Sequence, residues 1–193
     1  MQVFKPPRLL QLGCLLVAQS LFWISSVAHG NALKVNNANS TIQFTFKQME
    51  VPVKGVFKRF NAVIDYDQLK PENSKARIDI DLKSIDLPAP EYNAEVLKKE
   101  WFNATQYPQA SFIATSMKAM GVGKLFVSGT LTMKGKSILV SFPLSIKSEA
   151  NTQTFEGNFT IKRLSFNIGG AEWKDTSMLA DEITIQFRIA GTQ

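Results

Sequence analysis

The sequence predicts an all-β fold with one helix, about eight antiparallel strands arranged as an up-and-down barrel or a two-sheet sandwich. Three observations carry this. From residue 40 onward, apolar and polar side chains alternate with the period of half-buried strands. Residues 125–144, LFVSGTLTMKGKSILVSFPL, fold back on themselves at Lys134-Gly135 with both faces in register. A single helical signal lies between Pro90 and Phe102.

The hairpin is the firmest of the three. Folding at Lys134-Gly135 sets Leu131 against Ile138, Gly129 against Val140 and Val127 against Phe142 on one face. Ser128 then faces Ser141 and Thr132 faces Ser137 on the other. Directly opposite residues share a face of an antiparallel sheet, and a slip of one residue would scramble both faces. Gly135 supplies the positive φ that a tight turn needs.

Ahead of the strands, Lys5 and Arg8 form a basic head, and residues 9–27 are mostly apolar with Gln11 and Gln19 interrupting. Small-x-small sites follow at Ala28-His29-Gly30 and Gly30-Asn31-Ala32. This is the pattern of a secretory signal peptide cleaved after Gly30 or Ala32. Residues 1–32 are therefore expected to be removed, and residues 33–193 to form one domain in the periplasm. An uncleaved membrane anchor fits less well, because polar residues break the run. Lipidation at Cys14 is rejected, since the apolar run continues past it.

The strands follow at residues 41–47, 53–57 and 60–67. Phe57 and Phe60 have opposite parity, which calls for a bulge or bend near Lys58-Arg59. Residues 68–74, with Pro71 and Asn73, read as a loop. Residues 75–83 alternate strictly, with Ala76, Ile78, Ile80 and Leu82 inward. In the helix, Glu91 and Glu95 precede Lys98 and Lys99, in the order that suits the helix dipole. Tyr92, Val96 and Leu97 would form its buried stripe, closed by Trp101 and Phe102. Strands resume at 109–117, 125–133, 138–146, 154–161 and 183–189, with a long excursion over residues 163–181.

Removing the leader has a chemical consequence. The chain has one Cys and one His, Cys14 and His29, and both leave with it. No disulfide, thiol nucleophile or imidazole remains, and with them go the usual base for a serine nucleophile and the ligands zinc prefers. No loop is dense enough in oxygen ligands for calcium. No enzyme is expected, no catalytic residue is assigned, and no cofactor or metal is called for. The chain carries 22 basic and 16 acidic residues. Without Lys5 and Arg8 the net charge is +4. That excess fits an ordinary solvated surface, the reading preferred here, and the alternative is transient contact with an anionic membrane surface. No basic run interleaved with aromatics points to nucleic acid.

Read block by block, the domain is similar to a known family. Ser40-Thr41-Ile42-Gln43-Phe44 opens it, followed by Gly55-Val56-Phe57-Lys58-Arg59-Phe60 and Ile64-Asp65-Tyr66-Asp67. Ser84-Ile85-Asp86, Trp101-Phe102, Tyr107-Pro108 and Phe112 come next. Gly129-Thr130-Leu131-Thr132-Met133-Lys134-Gly135 lies in the hairpin, and Arg163-Leu164-Ser165-Phe166 with Gly169, then Trp173-Lys174-Asp175, complete the series. In this order the blocks resemble the YceI-like family of secreted, lipocalin-fold, polyisoprenoid-binding proteins. Two places depart from its pattern. Gln48 or a neighbour stands where many members carry a histidine, and Asn93-Ala94-Glu95-Val96-Leu97 replaces an Arg-Asp-x-His-Leu segment.

The resemblance implies an eight-stranded antiparallel lipocalin-like barrel, and a carrier for a polyisoprenoid or similar long-chain lipid, such as a quinone-like chain, held in its interior. The residues it would set around the ligand are Phe44, Phe46, Phe57, Ile78, Ile80, Phe112, Val127, Gly129, Leu131, Val140, Phe142 and Phe187. Small inward residues, Gly55, Ala76, Ala110, Ala114 and Gly129, would leave volume beside the large ones. The alternative is a barrel filled by its own Phe side chains, twelve of the fourteen lying beyond the leader. Such a protein would serve as an interaction or stress-response partner, for instance of a membrane redox protein.

Overall fold

The computed structural model describes residues 1–2 and 32–192. The expected leader, with Cys14 and His29, lies outside the described residues apart from its ends. Among the described residues, eleven strands form one antiparallel sheet. They are β1 (Lys34–Val35), β2 (Thr41–Gln48), β3 (Val51–Phe57), β4 (Phe60–Asp65), β5 (Lys75–Asp81) and β6 (Ile85–Asp86). After the helix α1 (Pro90–Glu95) come β7 (Gln109–Gly121), β8 (Lys124–Met133), β9 (Lys136–Glu149), β10 (Thr152–Lys162) and β11 (Glu182–Thr192).

The sheet order is β4-β5-β7-β8-β9-β10-β11-β2-β3-β6, with β1 on β11. Its two ends belong to the same bent strand paths. β3 and β4 are separated only by Lys58-Arg59, and β5 and β6 only by a single 3-10 turn, Leu82–Ser84. β4 pairs with β5 and β3 with β6, so the order comes round to where it began. Counted as paths, the β3/β4 and β5/β6 pairs and the six other long strands make the expected eight-stranded curled barrel. The parity change between Phe57 and Phe60 falls at the bend, and Lys58 N–H donates across it to the Ser84 carbonyl at 3.0 Å. At the other end of β4, Leu33 N–H donates to the Ile64 carbonyl at 2.7 Å while β1 continues onto β11.

The hairpin has the register read from the sequence. Leu131 pairs with Ile138, Gly129 with Val140 and Val127 with Phe142. On the outer face Ser128 Oγ meets Ser141 Oγ, and Thr132 Oγ1 meets Ser137 Oγ, each at 2.8 Å. Lys134 and Gly135 have φ of 46° and 71°, so both central residues of the turn are left-handed. The Lys134 ammonium is held against the neighbouring loops. Nζ donates to the Asn167 carbonyl at 2.7 Å and the Glu100 carbonyl at 3.2 Å. Burial there lowers its pKa, opposed by Glu100.

Two segments differ from expectation. α1 stops at Glu95 rather than reaching residue 102. Phe102 N–H donates to the Val96 carbonyl and Ala104 N–H to the Leu97 carbonyl, and these closures turn the chain where a helix would have run straight on. Tyr92 consequently stays about half exposed, at 49 %. The second difference is in the wall. β10 pairs with β11 along its whole length, but with β9 only from Thr152 to Gly157. Residues 136–143 of β9 have no strand partner on that side. Pro143 opposes Phe126 of β8 and has no N–H to extend the ladder. An outward-facing hollow of about 580 Å³ lies in the gap, walled by residues 138–143 of β9 and 158–162 of β10.

Inside the barrel, Phe142 gathers the aromatic core. Its ring stacks on Phe159 at 4.5 Å and 10°, and packs near Phe112 at 5.6 Å and Phe187 at 5.5 Å. The stack spans the gap between β9 and β10 from the inside.

Candidate functional site

An apolar cavity of about 360 Å³ occupies the end of the barrel nearest the β8–β9 turn. β2 contributes Phe44 and Phe46, β3 Val53 and Phe57, and β11 Ile183 and Ile185. Alternation on these strands points every second side chain inward. Met133 of β8, Ile161 of β10 and Ile85 of the short β6 add to the wall, and the rest comes from segments that do not alternate: Leu87 after β6, Val96, Trp101 and Phe102 after α1, and Ile168, Trp173 and Leu179 in the excursion. Two lips flank it. One carries Gln48 and Val53 at the β2–β3 turn, the other Pro88, Ala89, Tyr92 and Glu95.

Arg163 holds the excursion against this cavity. Its side chain is almost wholly buried, at 2 % exposure. Nε donates to the Ala180 carbonyl at 3.0 Å. Nη1 donates to Ile168 at 3.0 Å and Gly169 at 3.2 Å, and Nη2 to Trp173 at 2.6 Å and Leu179 at 2.8 Å. A guanidinium has five N–H donors, and here every one is spent on a backbone carbonyl. Burial pulls its pKa down, with Asp181 opposing. Arg163 therefore brings structure to the cavity wall but no spare donor to a guest. Gly169, at φ +74°, lies so close that a Cβ there would meet the guanidinium.

Among the buried side-chain nitrogen and oxygen atoms of the described residues, Trp101 Nε1 and Gln153 Oε1 lack a partner. Trp101 is in the cavity wall and packs on Trp173 with ring centroids 5.2 Å apart. Glu95, on the lip, is engaged by Lys98 at 2.5 Å. Among the described residues, no group of three or more His, Cys, Asp or Glu is placed to hold a metal ion.

The twelve residues singled out in the sequence divide between regions. Phe44, Phe46 and Phe57 line the large cavity. Ile78, Ile80, Phe112, Val127, Leu131, Phe142 and Phe187 surround a second void of only about 90 Å³, deeper in the barrel. Ile185 borders both voids. Val140 lies in the wall of the outward-facing hollow. Gly129 is buried beneath Phe112, whose ring occupies the space a Cβ would take. Phe44 covers Gly55 and Phe187 covers Gly157 in the same way. The expected free volume beside Gly55 and Gly129 is thus filled by rings from neighbouring strands, an arrangement that shields a strand glycine. Trp101, Arg163 and Trp173 were within reach of sequence reading, since all three stand in the blocks that carry the family resemblance.

Comparison with known proteins places these features in context. Residues 33–190 match the YceI-like domain. The crystal structure of BcnA from Burkholderia cenocepacia is 42% identical, with a TM-score of 0.80, and covers 82% of this chain and 100% of its own. A UPF0312 protein of Pseudomonas savastanoi pv. phaseolicola is 27% identical over 128 residues, 61% of this chain. The match spans 65% of that relative's length, a little under two thirds. A polyisoprenoid binding domain from Saccharophagus degradans, implicated in plant cell wall breakdown, shares the fold at 14% identity and a TM-score of 0.67. It covers 86% of this chain and 100% of its own.

Proposed function

The chain belongs to the YceI-like domain family, and from that premise we propose that it is a binding protein, not an enzyme, which carries a polyisoprenoid or similar long-chain lipid in the periplasm. The leader over residues 1–32 would deliver it there. One observation carries the proposal: a cavity of about 360 Å³ with an apolar wall, whose buried cation is already saturated by carbonyls. Such a wall selects hydrocarbon over charge. The volume falls near the lower end for small-molecule sites, so it suits part of a long chain, with the remainder leaving between the lips. Burial contributes about 0.8 kcal/mol per methylene, or about 4 kcal/mol per isoprene unit before ordering costs. The polyisoprenoid-binding domain of Saccharophagus degradans supports the same reading by its fold.

The filled-barrel alternative draws on a different observation. The deeper void measures only about 90 Å³ because Phe112, Phe142, Phe159 and Phe187 occupy the space. On that reading the protein acts through its surface, for instance on a membrane redox protein. Organic extraction of protein purified from a periplasmic fraction, followed by mass spectrometry, separates the two. The carrier reading expects a stoichiometric long-chain lipid. Repeated absence of lipid, together with no uptake of added isoprenoid, overturns it.

A further inference from the structure

From residue 101 to residue 148 the chain contains five lysines and no Asp or Glu. This stretch is most of β7, β8 and β9, one continuous part of the barrel wall. The apex of the β7–β8 hairpin is also apolar. Val122 is fully exposed at 103 % and Met120 is exposed at 59 %. Just below the apex, Lys118 pairs with Phe126 and Phe126 with Pro143, so a cation and an exposed aromatic stand side by side on the outer face. Lys124 pairs with Gly121 at the turn itself. Among the described residues, neither Lys118 nor Lys124 is in an ion pair with a carboxylate.

The apex is held in place. Ile146 N–H of β9 donates to the Gly123 carbonyl at 2.8 Å. The apolar pair is therefore presented by a braced turn, which limits the ordering cost of using it.

We propose that this apex and the lysines behind it form a docking surface for an anionic phospholipid bilayer. Met120 and Val122 enter the interface between headgroups and acyl chains, while Lys118 and Lys124 meet the phosphates and Phe126 lies at headgroup depth. The absence of carboxylates from residues 101–148 lessens the repulsion that acidic lipids would otherwise meet, and Glu156, the acidic group opposite Ser145, is engaged by Lys147 and Arg188. Because β8 starts at this apex and ends at Met133 in the cavity wall, the docked barrel stands with its cavity lips away from the bilayer. Docking and lipid uptake are thus separable, and the inference does not rest on the carrier reading.

Sedimentation of the purified protein with vesicles tests this. One set contains phosphatidylglycerol and phosphatidylethanolamine, the other phosphatidylcholine alone. The protein should partition onto the anionic set and stay in solution with the neutral one. Lys118→Glu with Lys124→Glu should lower the partition coefficient at least about tenfold. Met120→Ser with Val122→Ser should lower it several-fold while leaving the salt dependence intact. Lys54→Glu with Lys99→Glu makes the same charge change at the cavity end of the barrel and should alter it by less than about twofold. Circular dichroism melts accompany each pair, and the two test pairs act independently if one fails to fold. The proposal is overturned if the wild-type protein ignores anionic vesicles, if the control pair is as damaging as the lysine pair, or if the serine pair has no effect. Binding that requires an added acidic protein rather than lipid overturns it too.

Discussion

The Phe44 ring lies over Gly55, its directly paired residue on the next strand, in the space a side chain at that position would need. Leu87 closes the same space from the other side. Gly55→Ala should therefore push the ring into the large cavity or strain the strand pair. Overpacking of this kind costs about 1–3 kcal/mol. A drop in melting temperature together with weaker uptake of a fluorescent prenyl probe is the expected outcome, and an unchanged melt would contradict it.

Gly129 gives a sharper version. A Cβ there would run into both the Phe112 ring and the Ile113 carbonyl, and the carbonyl cannot step aside. Gly129→Leu should leave little folded protein, read as lost near-ultraviolet dichroism.

Filling the large cavity should act in the opposite way. Val53 is half-buried on its wall, facing open volume rather than packed atoms. Val53→Trp should abolish probe uptake while changing stability by less than about 1.5 kcal/mol. Phe142→Ala, by contrast, removes a ring with three aromatic neighbours and should cost about 3–5 kcal/mol. Denaturant titration of both variants beside a probe titration checks the contrast.

Arg163→Met should loosen residues 163–181. Five carbonyls, three of these bonds buried and two part-buried, would lose their donor together, at a cost of at least about 3 kcal/mol. Arg163→Lys keeps the charge with fewer donors and no planar fork, so it should fall between the two. Amide exchange across Ala180 and Asp181 would show whether the excursion opens before the barrel does.

Acid should destabilise the fold through two carboxylates. A hydrogen bond from Lys147, then one from Arg188, holds Glu156 below its ordinary pKa of 4.5. Arg59 holds Asp81 below its ordinary 3.8, with Nε at 3.0 Å and Nη2 at 2.7 Å from one carboxylate oxygen. For a depressed pKa, the stabilisation is complete above the unfolded value and is lost as pH falls through the folded one. Melting temperature should thus decline between about pH 5 and pH 3, and Glu156→Gln should flatten that slope. Both groups lie near the surface, so the effect is modest.

Much of the fold was legible where side chains alternate. The hairpin register could be read from Val127, Leu131, Ile138 and Phe142 together with the turn at Lys134-Gly135, because the turn sets the pairing and the period of two rules out a slip of one residue. The bend at Lys58-Arg59 was visible as a change of parity. The site was less legible for the same reason. Leu87, Val96, Trp101, Ile168 and Leu179 sit in turns and loops, where no period says which side faces in. Nor does alternation reveal which small residue is left open and which is covered by a ring. Gly129 and Gly55 read as gaps along their own strands, and only the neighbouring strand supplies Phe112 and Phe44 to fill them.

The unpaired stretch of β9 bears on how the barrel yields. Around most of its girth, widening means breaking backbone hydrogen bonds, and these bonds give way together. Between residues 136–143 and residues 158–162 no ladder has to be broken. What bridges the gap there is side-chain packing, chiefly the face-to-face contact of Phe142 with Phe159 at 4.5 Å, worth about 0.5–1.5 kcal/mol beyond its area, with Phe166 at its edge. The wall behaves as a hoop with an expansion joint. Backbone pairing is continuous toward β1 and the β9–β10 turn and interrupted on one flank near the cavity, so under the carrier proposal a guest of larger girth would press on a side-chain seam rather than on a hydrogen-bonded ladder.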